Sequence, residues 1–200
     1  MRAKAHWFRA ESPKGPDAVA GALALVAWSG ARRMLANLRK AGFTLEAGPA
    51  YFAFLAEALA FEVQVAWRLA NERYGEADRV AFATSLSRAV GRVLAENESE
   101  LLGVEAAAAI EARFLERLNR RFEEYADFRH DAHGPRFGFL RYFASLVEDL
   151  LPAKDGAWIH EQLMAVEGPV AATTIAKAFE ALLETGPARA PRAAARVAGE

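Results

Sequence analysis

Residues 51–74 read YFAFLAEALAFEVQVAWRLANERY. Drawn as a helix, this stretch places apolar side chains on nearly every side: Phe52, Phe54, Leu55, Leu59, Phe61, Val63, Val65, Trp67 and Leu69. Glu57, Gln64, Arg68, Asn71 and Glu72 gather into a narrow polar stripe. A helix with so little polar surface must be covered by its neighbours. Gly48-Pro49 precedes it, and proline suits a first helical position. Gly75 follows it, a residue that ends helices at little cost. The stretch therefore predicts the central helix of an all-α domain.

Working outward, the flanking segments repeat the helical period. Asp17 is a good N-cap for a helix carrying Val19, Leu23, Val26, Met34 and Leu38, with small residues Gly21, Ala24, Ala27 and Ala31 between them. Glu76 to Leu102 carries a stripe of Val80, Ala83, Leu86, Val90, Val93, Leu94 and Leu101. Glu105 to Asp127 repeats Ile110, Phe114, Leu118, Phe122 and Tyr125 every three to four residues, opposite a charged face that reads as solvated. Arg136 to Leu151 is rich in Phe and Tyr, and Pro152 stops it. A sixth helix starts at Asp155, Gly168-Pro169 breaks or kinks it, and a seventh holds Val170, Ile175, Phe179, Leu182 and Leu183. The expectation is one bundle of about seven helices over 17–185. A basic arm with an aromatic knot, His6-Trp7-Phe8, precedes it over 1–16, and a disordered Ala/Arg/Pro tail follows over 186–200.

Composition narrows the function. A formal net charge of −1 gives no global attraction to nucleic acid or to an acidic membrane. Cysteine is absent, which excludes disulfides and thiolate chemistry and suits a reducing, cytoplasmic setting. The apolar run Ala18–Ala31 falls short of the roughly 20 residues that a membrane span needs. Glu11, Pro13, Pro16 and Asp17 before it do not resemble a signal peptide. The expectation is a soluble protein with no transmembrane segment and no cofactor.

Three constellations could carry chemistry. His130-Asp131-Ala132-His133 with Asp127 offers imidazoles and carboxylates, ordinary ligands for a divalent metal; the competing reading is turn chemistry around Asp131 and Gly134-Pro135. Glu62 shares a helical face with Leu55, Leu59, Ala66 and Leu69, where a carboxylate would be desolvated unless a cation answers it. His160-Glu161 lacks the Glu-x-x-His spacing of di-iron bundles, which occurs nowhere in the chain. The zincin, phosphate-loop and nucleophile-elbow patterns are absent as well. The leading expectation is a non-catalytic protein acting through helix-mediated association as a homodimer, because more helix faces are apolar than one bundle needs. Two alternatives stand beside it. One is a binder of a small apolar ligand in an aromatic-lined cavity, with Glu62, Trp67, Phe139 and Tyr142 as its residues. The other is a metal-dependent enzyme at the His130/His133 loop.

Overall fold

The computed structural model describes residues 15–43, 45, 48–150 and 153–184. The His6-Trp7-Phe8 knot and the 186–200 tail lie outside the described residues. The fold is all-α. Its elements are α1 (Pro16–Lys40), α2 (Pro49–Arg73), α3 (Glu76–Leu102), α4 (Ala107–Tyr125), a two-strand hairpin of β1 (His130–Asp131) and β2 (Gly134–Pro135), α5 (Phe137–Glu148), and α6. The last begins as Ala153–Gln162, passes through a π-helical turn at Leu163–Glu167, and continues as Gly168–Leu183. Asp17 lies in the first turn of α1 rather than at its cap, which is Gly15.

The described residues thus form six helices, not seven. Gly168-Pro169 does not divide α6, for a physical reason. Proline normally interrupts a helix because its ring meets the carbonyl four residues back. Here the preceding turn is widened to π geometry, with the Gly168 N–H donating to the Leu163 carbonyl. A widened turn sets the obstructing carbonyl aside, and the chain continues. Gly168 also lets α6 approach α5 closely. A Cβ there would lie 2.8 Å from the Leu163 carbonyl oxygen and 2.9 Å from the Leu140 side chain.

α2 is central, in contact with α1, α3, α4, α5 and the Gly168–Leu183 part of α6. Every residue from Phe54 to Ala66 is buried, polar ones included. By length and composition α2 could cross a membrane, but 78% of its most apolar window is buried inside the protein. Burial on all sides of one helix is the outcome its sequence pattern demands.

Two aromatic clusters lock the layers around α2. Phe61 stacks on Phe143 of α5 at 4.4 Å and meets Phe139 edge-on at 5.7 Å. Phe139 in turn lies 4.5 Å from Tyr125 of α4. At the other end of the bundle Phe82, Tyr74 and Phe179 form a triangle with ring centroids 5.5–5.9 Å apart. Each buried Phe is worth about 1.5–3 kcal/mol in transfer, and an aromatic pair adds about 0.5–1.5 kcal/mol. On α3 the buried side is Phe82, Leu86, Val90 and Leu94; Val80 and Leu101, placed in the same stripe from sequence, are each 57% exposed.

Candidate functional site

The site begins where α4 ends. Arg68 of α2 donates from Nη2 to the Tyr125 carbonyl at 2.8 Å and, at 3.4 Å, to that of Phe128. A cation on the last carbonyls of a helix satisfies acceptors that have no intrahelical partner. This fixes the exit of α4 and the hairpin that follows. The hairpin pairs His130 with Pro135 and Asp131 with Gly134. Asp131 shapes the turn: Oδ1 accepts the His133 N–H at 3.0 Å and Oδ2 accepts Arg136 Nε at 2.6 Å. These two bonds, the backbone one first, hold its carboxyl below the usual range. Gly134 closes the turn at φ 90°, where a side chain would be strained.

Beneath the hairpin is a cleft of about 510 Å³. Its apolar wall comes from Val65 and Leu69 of α2, Leu140 of α5, and Pro169, Ala172 and Ala176 of α6. Its polar groups are Glu72, Arg73, Thr173, Lys177, Glu180 and the hairpin itself. Arg73 and Glu180 bridge at 2.8 Å, both about half exposed, so the pair contributes little to stability. His130 is the unusual member. Both ring nitrogens are buried, and among the described residues neither has a hydrogen-bond partner. Its ring meets Phe139 edge-on at 6.1 Å. Burial, then the charge of Arg68, lowers its pKa below the ordinary imidazole value, against weaker opposing effects of Glu72 and Asp131. At neutral pH the ring is therefore a neutral donor and acceptor in one.

The other residues singled out from sequence are scattered. His133 and Asp127 are exposed, and Asp131 is engaged by Arg136. Among the described residues no group of three or more His, Cys, Asp or Glu gathers closely enough to hold a metal ion. His160 pairs across helices with Glu148 at 2.6 Å. Phe139 is fully buried between Phe61, Tyr125 and His130. Tyr142 stacks on Phe128 at 5.0 Å; burial, then the Glu124 carboxylate, push its hydroxyl up to about 12. Trp67 meets Phe122 edge-on at 5.9 Å, with the Arg79 guanidinium 5.8 Å above its ring. These aromatic side chains occupy one another's space, and none of them lines the cleft.

Glu62 is 1% exposed and lies under α1. A Cβ on Gly30 would run into its Oε1, so the glycine makes room for the carboxyl. Among the described residues Oε2 has no hydrogen-bond partner. Burial raises its pKa well above the usual carboxylate value, and the charge of Arg33 opposes that only partly. Glu57, in the polar stripe of the sequence reading, is 3% exposed and fully paired. Arg121 of α4 grips it with Nε at 2.8 Å and Nη2 at 2.7 Å.

Sequence inspection did not place Leu69, Arg73 and Lys177 in one cleft with His130. Residues 69, 72 and 73, like 169, 173, 176 and 180, share helix faces by spacing, but nothing in the spacing says that the two faces meet under one hairpin. No family model matches the chain, and no match was found among the curated proteins or the solved structures.

Proposed function

We propose that this protein binds a small molecule with an apolar body and a neutral hydrogen-bonding group, such as a hydroxyl or amide, in the cleft under the hairpin. One observation carries the reading: an imidazole whose two nitrogens are buried and, among the described residues, unpartnered lies in a cleft with an apolar wall and a polar rim. Ligand sites typically occupy about 300–1,000 Å³ and combine an apolar lining with a few polar groups. A buried donor and acceptor left unmade cost about 1–3 kcal/mol each, which a ligand can recover. Binding fits better than catalysis. A catalytic imidazole is oriented by a second group, whereas Asp131, its neighbour in the chain, is committed to Arg136 and the turn.

The test is calorimetric titration with phenol, benzyl alcohol and benzamide into the wild type and His130→Phe. The wild type should bind at least one of them saturably, and the variant should lose at least tenfold. Equal binding by the two proteins, or none by the wild type, would end the proposal. The same variant carries a stability prediction. Phenylalanine keeps the packing against Phe139 and removes both orphaned nitrogens, so His130→Phe should gain about 1 kcal/mol at pH 7. Because burial depresses the pKa, the unfolded chain binds the proton more readily. Wild-type stability should therefore fall as pH drops through the ordinary imidazole range and on to the lower folded value. His130→Phe should lack that component. Denaturant unfolding at several pH values measures both effects.

A second reading, self-association as a homodimer, rests on a different patch. The apolar faces that suggested it are largely consumed by the core: Ala20, Ala24, Ala27 and Ala31 of α1 and Ile175 and Phe179 of α6 are buried. Among the described residues Leu25, Val80, Leu101, Val104, Phe137, Trp158, Val166 and Val170 stay exposed; of these Phe137, 67% exposed, stands at an open groove between α5 and α6 that also carries Arg141 and Met164. Exposed apolar patches mark interfaces when they are contiguous, and two-fold pairs are the commonest soluble oligomer. In that reading sedimentation at micromolar concentration gives about twice 21.8 kDa, and Phe137→Glu returns the monomer. A wild-type monomer without concentration dependence would remove it.

A further inference from the structure

A second pocket opens at the other end of α2, roughly 25 Å from the hairpin cleft at 1.5 Å of rise per residue. It encloses about 310 Å³, between the first turns of α2, the last turns of α3 and the start of α4. Its walls are apolar: Phe52, Ala53, Leu94, Ile110 and Phe114. Two arginines of α4 complete it, and their circumstances differ. Arg113 is satisfied, bonded to Glu98 at 2.6 Å and also to Glu105. Arg117 is not. Its Nη1 is buried and makes no hydrogen bond among the described residues. The nearest carboxylate oxygen, on Glu57, is 3.6 Å away, and both oxygens of that group are already held by Arg121 at 2.7 and 2.8 Å.

We propose that this pocket binds a small amphipathic monocarboxylate, with its apolar tail against Phe52, Leu94 and Phe114 and its carboxylate on Arg117. Arg113 is balanced by Glu98 and Glu105 and Arg121 by Glu57 and Glu124, so Arg117 is the arginine of the pocket whose one nearby carboxylate, Glu57, is already taken. Its buried, unbonded Nη1 is the group that an anionic acceptor would satisfy. A carboxylate accepts from a guanidinium in a planar, charge-assisted bond, about twice as strong as a neutral one. The volume lies at the lower end of the range for ligand sites, which limits the tail to a short chain or a single ring. A phosphate fits the site less well. It brings more charge toward Glu98 and Glu105, and the apolar walls offer it nothing to hydrogen-bond.

The experiment is calorimetric titration of the full chain at pH 7 with octanoate, octanol and inorganic phosphate. Octanoate should saturate one site at millimolar concentration or below. Octanol and phosphate should each bind at least tenfold more weakly. Arg117→Met keeps most of the stem's packing and removes the charge, and it should weaken octanoate at least tenfold. Ala53→Leu fills the apolar wall without touching any charge and should do the same, so the test survives if the arginine variant fails to fold. His130→Phe should leave octanoate binding unchanged, which separates this site from the hairpin cleft. The proposal is overturned if octanoate does not saturate, if octanol or phosphate binds as well, or if octanoate binds undiminished to Ala53→Leu or to a folded Arg117→Met.

Discussion

Arg121→Met should destabilise the protein by about 3–5 kcal/mol at pH 7, the largest effect expected of any single polar substitution in the bundle. Glu57 is 3% exposed, and the Arg121 side chain is 13% exposed. The guanidinium meets the carboxylate as a two-bond fork at 2.8 and 2.7 Å, and a further contact ties it to Glu124 at 2.6 Å. Removing the cation leaves a carboxylate that is 3% exposed, where an uncompensated charge is costly. Arg117, 3.6 Å from the same carboxylate, can take up part of the deficit, which places the loss toward the lower end of the range. Removing both partners should be far milder. Glu57→Leu with Arg121→Met replaces an ion pair by packed hydrocarbon, a change that is often neutral or stabilising in buried settings. Denaturant unfolding with an unchanged slope reads both variants. A loss below about 1 kcal/mol for Arg121→Met would mean that the pair is not desolvated as drawn.

Glu62→Gln should move the other way, raising stability at pH 7 by about 1–3 kcal/mol. Five residues separate Glu62 from Glu57 in the chain, yet the two carboxyls live in opposite circumstances. Glu57 is answered by a fork. Glu62 lies beneath Gly30 with Oε2 unbonded and Arg33 acting only at a distance. Its raised pKa fixes the sign of the pH dependence. A group that titrates higher in the folded than in the unfolded state contributes stability that is full below the ordinary carboxylate range. That contribution is lost as pH rises toward the folded value. Glutamine has no such loss. The two proteins should therefore be nearly equal in acid and diverge toward neutrality. A destabilising Glu62→Gln would show that a cation does reach the carboxyl. The same geometry makes Gly30→Ala, normally a favourable change inside a helix, unfavourable here.

How much of this was readable beforehand differs from residue to residue. The all-round apolar pattern of Tyr51–Tyr74 announced a covered central helix, because no other arrangement shields it. It also marked Glu62 as desolvated. It could not show that Glu57 is just as buried, because the cation that permits this comes from α4, 64 residues away. On α4 the sequence reading puts Arg113, Arg117 and Arg120 on a face taken as solvated and does not single out Arg121, the arginine that holds Glu57. The α6 break at Gly168-Pro169 was misplaced for a local reason. Proline is a reliable helix stop only when the turn before it is α, and the π turn at Leu163–Glu167 has no recognisable sequence signature. His130 was legible as a candidate by residue type alone. Its unpartnered nitrogens were not, since they depend on Phe139, Arg68 and a cleft wall from α6 converging on one hairpin.

The most direct test of the site is nuclear magnetic resonance of the His130 ring nitrogens during titration with benzyl alcohol. The account predicts a neutral imidazole at pH 7 whose nitrogen shifts move saturably as the probe fills the cleft, while those of the exposed His133 stay in place. A His130 ring that is protonated at pH 7, or one that ignores every probe while His133 responds, would contradict it.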